Sequence, residues 1–114
     1  MTLEEKLTAA LRTIVPRVFR GTAPVGTEQP YITYQRIGGQ PDDYLDNSLS
    51  PKRNAWVQIN VWGGDPDALI QQVELTLRSS TEMQASPQAE ARDADEPDMD
   101  LTGASQDFDI WADR

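Results

Sequence analysis

Residues 55–62, Ala-Trp-Val-Gln-Ile-Asn-Val-Trp, alternate without a break. Successive side chains of a strand point to opposite faces, so Val57, Ile59 and Val61 share one side, and Trp56, Gln58, Asn60 and Trp62 share the other. The aliphatic side is the natural core face. Gly63-Gly64 ends the strand, Asp65 is a good helix N-cap, and Pro66 suits the first helical position because its missing N–H would be unpaired there anyway. Leu69, Ile70, Val73 and Leu77 then form an apolar stripe at helical spacing that fades into Ser79-Ser80-Thr81.

Working outward, Thr2-Leu3-Glu4-Glu5 fits a capping box, in which the Thr2 hydroxyl and the Glu5 carboxylate each accept from a first-turn N–H. Leu3, Leu7, Leu11 and Ile14 continue it as one stripe, and Pro16 should stop the helix, so a helix is expected over residues 2–15. Arg17-Val18-Phe19-Arg20-Gly21 reads as a short first strand, residues 22–30 as turn material, and Tyr31-Ile32-Thr33-Tyr34-Gln35-Arg36-Ile37 as a second strand broken by Gly38-Gly39. Residues 38–54 hold too much Gly, Pro, Asp, Asn and Ser for a regular element, and a loop that long in a small domain usually touches something.

Residues 82–106 form an acidic segment with little periodicity, readable as a weak strand plus loop or as disorder, with a short strand placed near residues 88–92. Residues 106–113 alternate again, with Phe108 and Ile110 on one face and Asp107, Asp109, Trp111 and Asp113 on the other. The expected order is α-β-β-β-α-β-β: a single α+β domain with both helices on one face of a mostly antiparallel sheet.

The chain has 114 residues, enough for one modest core, and ten basic against nineteen acidic side chains, a net charge of -9. That balance argues against binding to DNA or anionic membranes, which need basic patches. The acidity belongs to residues 82–114, with net charge -8 against -1 for the rest. Without cysteine or histidine there is no disulfide framework, thiolate or imidazole chemistry, so no catalytic residue set, metal centre or cofactor is expected. No apolar run approaches the roughly 18 residues of a membrane span, and the N-terminal stretch is amphipathic and acidic rather than signal-like, so use without export is expected.

Trp56, Trp62 and Trp111 are all out of phase with the aliphatic residues of their strands, and all should project from the face opposite the helices. They either lie at the sheet rim or under the long loop and complete the core, or form a protein-binding face. A buried indole covers roughly 150–250 Å², on the order of 4–6 kcal/mol at about 25 cal/mol per Å². Two such rings could anchor a subunit interface, and Asp107 and Asp109 beside them suit a polar rim better than a dry core.

The densest charge run, Asp93-Ala-Asp95-Glu96-Pro-Asp98-Met-Asp100, invites a metal reading. An EF-hand loop beginning at Asp93 would need an oxygen ligand where Pro97 stands, a Gly where Asp98 stands and a bidentate Glu where Ala104 stands. Catalysis would need two carboxylates held rigidly in a pocket. A solvated acidic loop is the reading that remains. The glycine pairs at 38–39 and 63–64 lack P-loop or dinucleotide-loop spacing and are turns.

The N-terminal amphipathic helix, the Pro30-to-Gln35 strand Pro-Tyr-Ile-Thr-Tyr-Gln, the Gly/Asp-rich loop, the 56–62 strand, the helix led by Asp65-Pro66-Asp67 and the closing Asp107-to-Trp111 strand together carry a resemblance. The chain resembles the tail-completion, or tail-terminator, proteins of long-tailed bacteriophages and prophages. The resemblance implies a structural α+β subunit with no enzymatic activity, present in the bacterial host cytoplasm during assembly and then in the virion tail. Copies would form a ring, commonly a hexamer, at the head-proximal end of the tail tube, stop tube growth and meet the head-side connector or neck protein.

Under that implication Trp56, Trp62 and Trp111 would pack against adjacent subunits or tube protein. Tyr44, Leu45, Lys52 and Arg53 of the long loop would form a second contact, and Asp93, Asp95, Glu96, Asp98 and Asp100 would face the channel so that DNA slides past. The competing expectations are an acidic adaptor or DNA mimic that occupies a basic cleft, and a related head-closure or neck subunit.

Overall fold

A computed structural model describes residues 2–40, 51–96 and 101–113. Helix α1 (Leu3–Arg12) starts where expected: the Thr2 hydroxyl accepts from the Glu5 N–H at 3.2 Å and itself donates to Glu5 Oε1 at 3.2 Å. It ends at Arg12, short of residue 15, because the chain tightens there. The N–H groups of Ile14 and Val15 both turn to the Leu11 carbonyl, and the Thr13 hydroxyl donates to the Ala10 carbonyl at 2.6 Å. Val15 still reaches the core.

The strands are β1 (Val18–Arg20), β2 (Tyr31–Gly38), β3 (Lys52–Trp62), β4 (Met83–Pro87), β5 (Arg92–Glu96) and β6 (Leu101–Asp113), with α2 (Pro66–Arg78) between β3 and β4. They form one six-stranded sheet in the order β1-β2-β3-β6-β4, with β5 also paired to β6. β1 runs parallel to β2, and every other pairing is antiparallel. This is the expected α+β architecture, two helices against a mostly antiparallel sheet.

Between β3 and α2 the chain turns through Gly63 and Gly64 at φ +79° and +62°, and a Cβ on Gly63 would stand 2.4 Å from Gln29 Oε1, so this turn requires glycine. Asp65 then accepts from the Ala68 N–H at 3.3 Å and Pro66 opens α2.

Leu3, Leu7 and Leu11 of α1 and Ile70, Val73 and Leu77 of α2 pack with Val57, Ile59, Val61, Phe108 and Ile110 in one cluster. Both helices therefore cover the aliphatic face that the 55–62 alternation marks. Gln106 also lies on this side and is buried, its amide donating to Glu74 Oε1 and to the Ala89 carbonyl, each at 2.9 Å.

Three sequence expectations change. β3 begins at Lys52, so residues 52–54 belong to the central strand rather than to a loop ending at 54. Where one short strand is expected near 88–92, two strands form, β4 before that stretch and β5 starting at its end. β6 begins at Leu101, not at 106, because Gly103, Ala104 and Ser105 pair with Trp62, Val61 and Asn60. Residues 82–106 are thus largely sheet among the described residues, since β6 offers β4 and β5 successive stretches of one edge.

Candidate interaction surface

The sheet face turned away from the helices carries Trp56, Gln58, Asn60 and Trp62 from β3, Tyr31, Thr33 and Gln35 from β2, and the odd-numbered residues of β6. Trp56, Trp62 and Trp111 are all on it, and all are half-buried. They occupy two stations rather than one. Trp56 pairs with Asp109, and Trp111 pairs with Asn54, so these two indoles are diagonal neighbours. Trp62 lies six positions along β3 from Trp56, roughly 20 Å at a strand's rise.

Two of the rings rest on glycine. A Cβ on Gly38 would stand 2.6 Å from Trp56 Cε3, and one on Gly103 would stand 2.9 Å from Trp62 Cε3 and 2.2 Å from the Val61 carbonyl oxygen. Each indole covers backbone that a cross-strand side chain would otherwise cover. The Trp62 Nε1–H donates to Thr33 Oγ1 at 3.1 Å, which satisfies its polar edge. Part of the tryptophans' area is therefore spent within the sheet, and the remainder faces outward.

Around Trp62 the face is concave. Tyr31, Thr33, Trp62, Leu101, Ser105 and Arg92 line an open trough of about 510 Å³. Phe19 supports it from the side, its ring edge-to-face with Tyr31 at 6.4 Å. Arg92 pairs with Asp107 at 3.2 Å, while the Ser105 hydroxyl is buried and has no partner among the described residues. Alternation with Ile32 and Tyr34 makes Tyr31 and Thr33 findable from sequence. Ser105 and Arg92 are not, because only the β5–β6 pairing brings them there.

Lys52 and Arg53 lie on β3 rather than in a loop, and both are ion-paired within the chain. The Lys52 ammonium contacts Asp113 at 2.7 Å, and Arg53 grips Glu4 through Nη1 to Oε2 at 3.0 Å and Nη2 to Oε1 at 2.7 Å. Arg36 Nη1 reaches the same Glu4 Oε1 at 3.3 Å. Burial pushes the Glu4 carboxyl up, but a backbone N–H, the Arg53 hydrogen bonds and the positive charges of Arg53 and Arg20 together outweigh it and hold the carboxyl below its ordinary range. The Lys52 ammonium does the same for the exposed Asp113.

Asp93 and Asp95 stand exposed on β5, paired with Ala104 and Thr102, and Glu96 pairs with Leu101. The acidic run is therefore strand in its first half rather than a spacer loop. Asp98, Asp100, Tyr44 and Leu45 lie outside the described residues. Among the described residues no group of His, Cys, Asp or Glu is arranged to hold a metal, and no helix is long and apolar enough to cross a membrane.

A family profile described as Tail completion protein gp17 matches residues 5–113. No curated protein matches the chain.

Proposed function

Because the chain belongs to the Tail completion protein gp17 family of phages, we propose that it is the structural subunit that closes the head-proximal end of the tail. Copies form a ring, six by the family resemblance, which stops growth of the tail tube and joins it to the head-side connector or neck protein. The subunit is present in the host cytoplasm during assembly and in the virion tail afterwards.

The observation that carries this reading is the second face of the sheet. It holds three half-buried tryptophans and an open trough, and no described helix covers it. Indoles partly satisfied within the sheet and partly exposed suit a face that meets tube protein or an adjacent subunit. Lys52 and Arg53 are ion-paired within the chain, so in this reading they reach a partner together with Asp113 and Glu4.

Sedimentation with and without the tail-tube protein tests the proposal. The wild type is expected to sediment as a larger species when tube protein is present, and Trp62→Ala and Trp111→Ala to weaken that association while retaining the wild-type circular dichroism. A monomer under both conditions, or association unchanged in both variants, would overturn it.

A further inference from the structure

The two lateral edges of the sheet carry opposite charge. One edge is β1, flanked and closed by Arg17 and Arg20. The other includes β5, Arg-Asp-Ala-Asp-Glu. Among the described residues neither strand has a second strand neighbour.

Hydrogen bonding shows which backbone groups face outward. The Arg17 carbonyl accepts from the Ile32 N–H and the Gly21 N–H donates to the Tyr34 carbonyl, so odd residues of β1 face β2, while Val18 and Arg20 turn their N–H and C=O groups away. On the other side the Gly63 N–H donates to the Thr102 carbonyl, so Thr102 faces β3 and Gly103 faces β5. Ala94 pairs with Gly103, which leaves Asp93 and Asp95 turned outward. Strand edges of this kind are templates for another chain.

The edges are also aligned. Val18, Ile32, Val61, Ala104 and Asp93 form one cross-strand row, so β1 and β5 lie at the same level on opposite edges. Through the intervening pairings β5 runs antiparallel to β1. By register, Val18, Arg20, Asp93 and Asp95 all belong to the helix side of the sheet. A copy rotated about an axis slightly inclined to the strands, so that it also steps two residues along them, therefore brings its β5 antiparallel to β1, with the helical layers on the same side.

We propose that subunits associate head to tail by adding β5 of one copy to β1 of the next, with Arg20 opposite Asp93 and Val18 opposite Asp95. This rests on the ring reading above and names the contact that builds the ring. Like edges are disfavoured: β5 against β5 sets carboxylate beside carboxylate, and β1 against β1 brings no opposite charge. A contact between two different edges is heterologous and closes into a ring when the rotation allows. With only Val18 and Arg20 facing outward on β1, the contact is small, so assembly depends on the tail tube as template. Asp93 and Asp95 thereby become subunit-contact residues rather than a channel wall.

The chain has no cysteine, so Arg20→Cys, Asp93→Cys and Asp95→Cys variants each carry a single thiol. Oxidised in the presence of tail tubes, a mixture of Arg20→Cys with Asp93→Cys is expected to form disulfide dimers well above either variant alone. The double variant Arg20→Cys/Asp93→Cys is expected to give a ladder of covalent multimers ending at the ring size. Arg20→Asp should weaken association with tubes and Arg20→Asp/Asp93→Arg should restore it. Equal coupling of like with like, or no coupling while the wild type still sediments as an oligomer, overturns the edge pairing and leaves the ring standing. A wild type that stays monomeric with tubes overturns both.

Discussion

Trp62 on β3 rests against Gly103 on β6, its direct cross-strand partner. The glycine is required less for its conformation than for its missing side chain. A Cβ there would meet the Val61 carbonyl oxygen at 2.2 Å, and that oxygen is backbone in the central strand.

Gly103→Ala is therefore expected to lower stability by about 3 kcal/mol, as overpacking against backbone does. Urea unfolding followed by tryptophan fluorescence checks this. A midpoint equal to the wild type would mean that the strands part easily at this position.

Ser105 gives the opposite expectation. Its hydroxyl is buried at the floor of the trough without a partner among the described residues, a cost that alanine removes. Ser105→Ala is expected to raise stability by about 1 kcal/mol, read as a higher urea midpoint at unchanged slope. A destabilised variant would show that the hydroxyl is hydrogen-bonded in solution.

Glu4 and Arg53 form the best-shielded ion pair of those described, with side chains 18% and 24% exposed. Glu4→Gln is expected to cost about 1–2 kcal/mol at neutral pH. Asp113→Asn, which breaks the exposed Lys52 pair, should produce no resolvable change.

Because the folded-state pKa of Glu4 is depressed, its contribution is fully present above the ordinary glutamate value and is lost as pH falls through the folded value. The stability gap between wild type and Glu4→Gln should thus be constant near neutrality and close in acid. Urea unfolding at both ends of that range measures it, and a gap that persists in acid would show that packing rather than charge carries the effect.

Local chemistry made much of this fold legible. The alternation over 55–62 marked the core face of the central strand, Thr2 and Asp65 announced both helix starts, and Gly63-Gly64 the turn between strand and helix. These signals depend on residues near one another in the chain. They also placed the three tryptophans on the face away from the helices, because strand parity is a local property.

What sequence alone left open lay where structure depends on distant partners. Residues 83–87 and 92–96 carry little periodicity of their own and become strand because β6 presents an edge to each of them. Lys52 and Arg53 sit among turn-forming residues, yet pair with Asp113 and Glu4 from the two ends of the chain. The division of the tryptophans into two stations, the glycine beneath Trp62 and the level alignment of the basic and acidic edges follow from register. Register is set by the packing of the whole sheet, so only the tertiary structure could decide them.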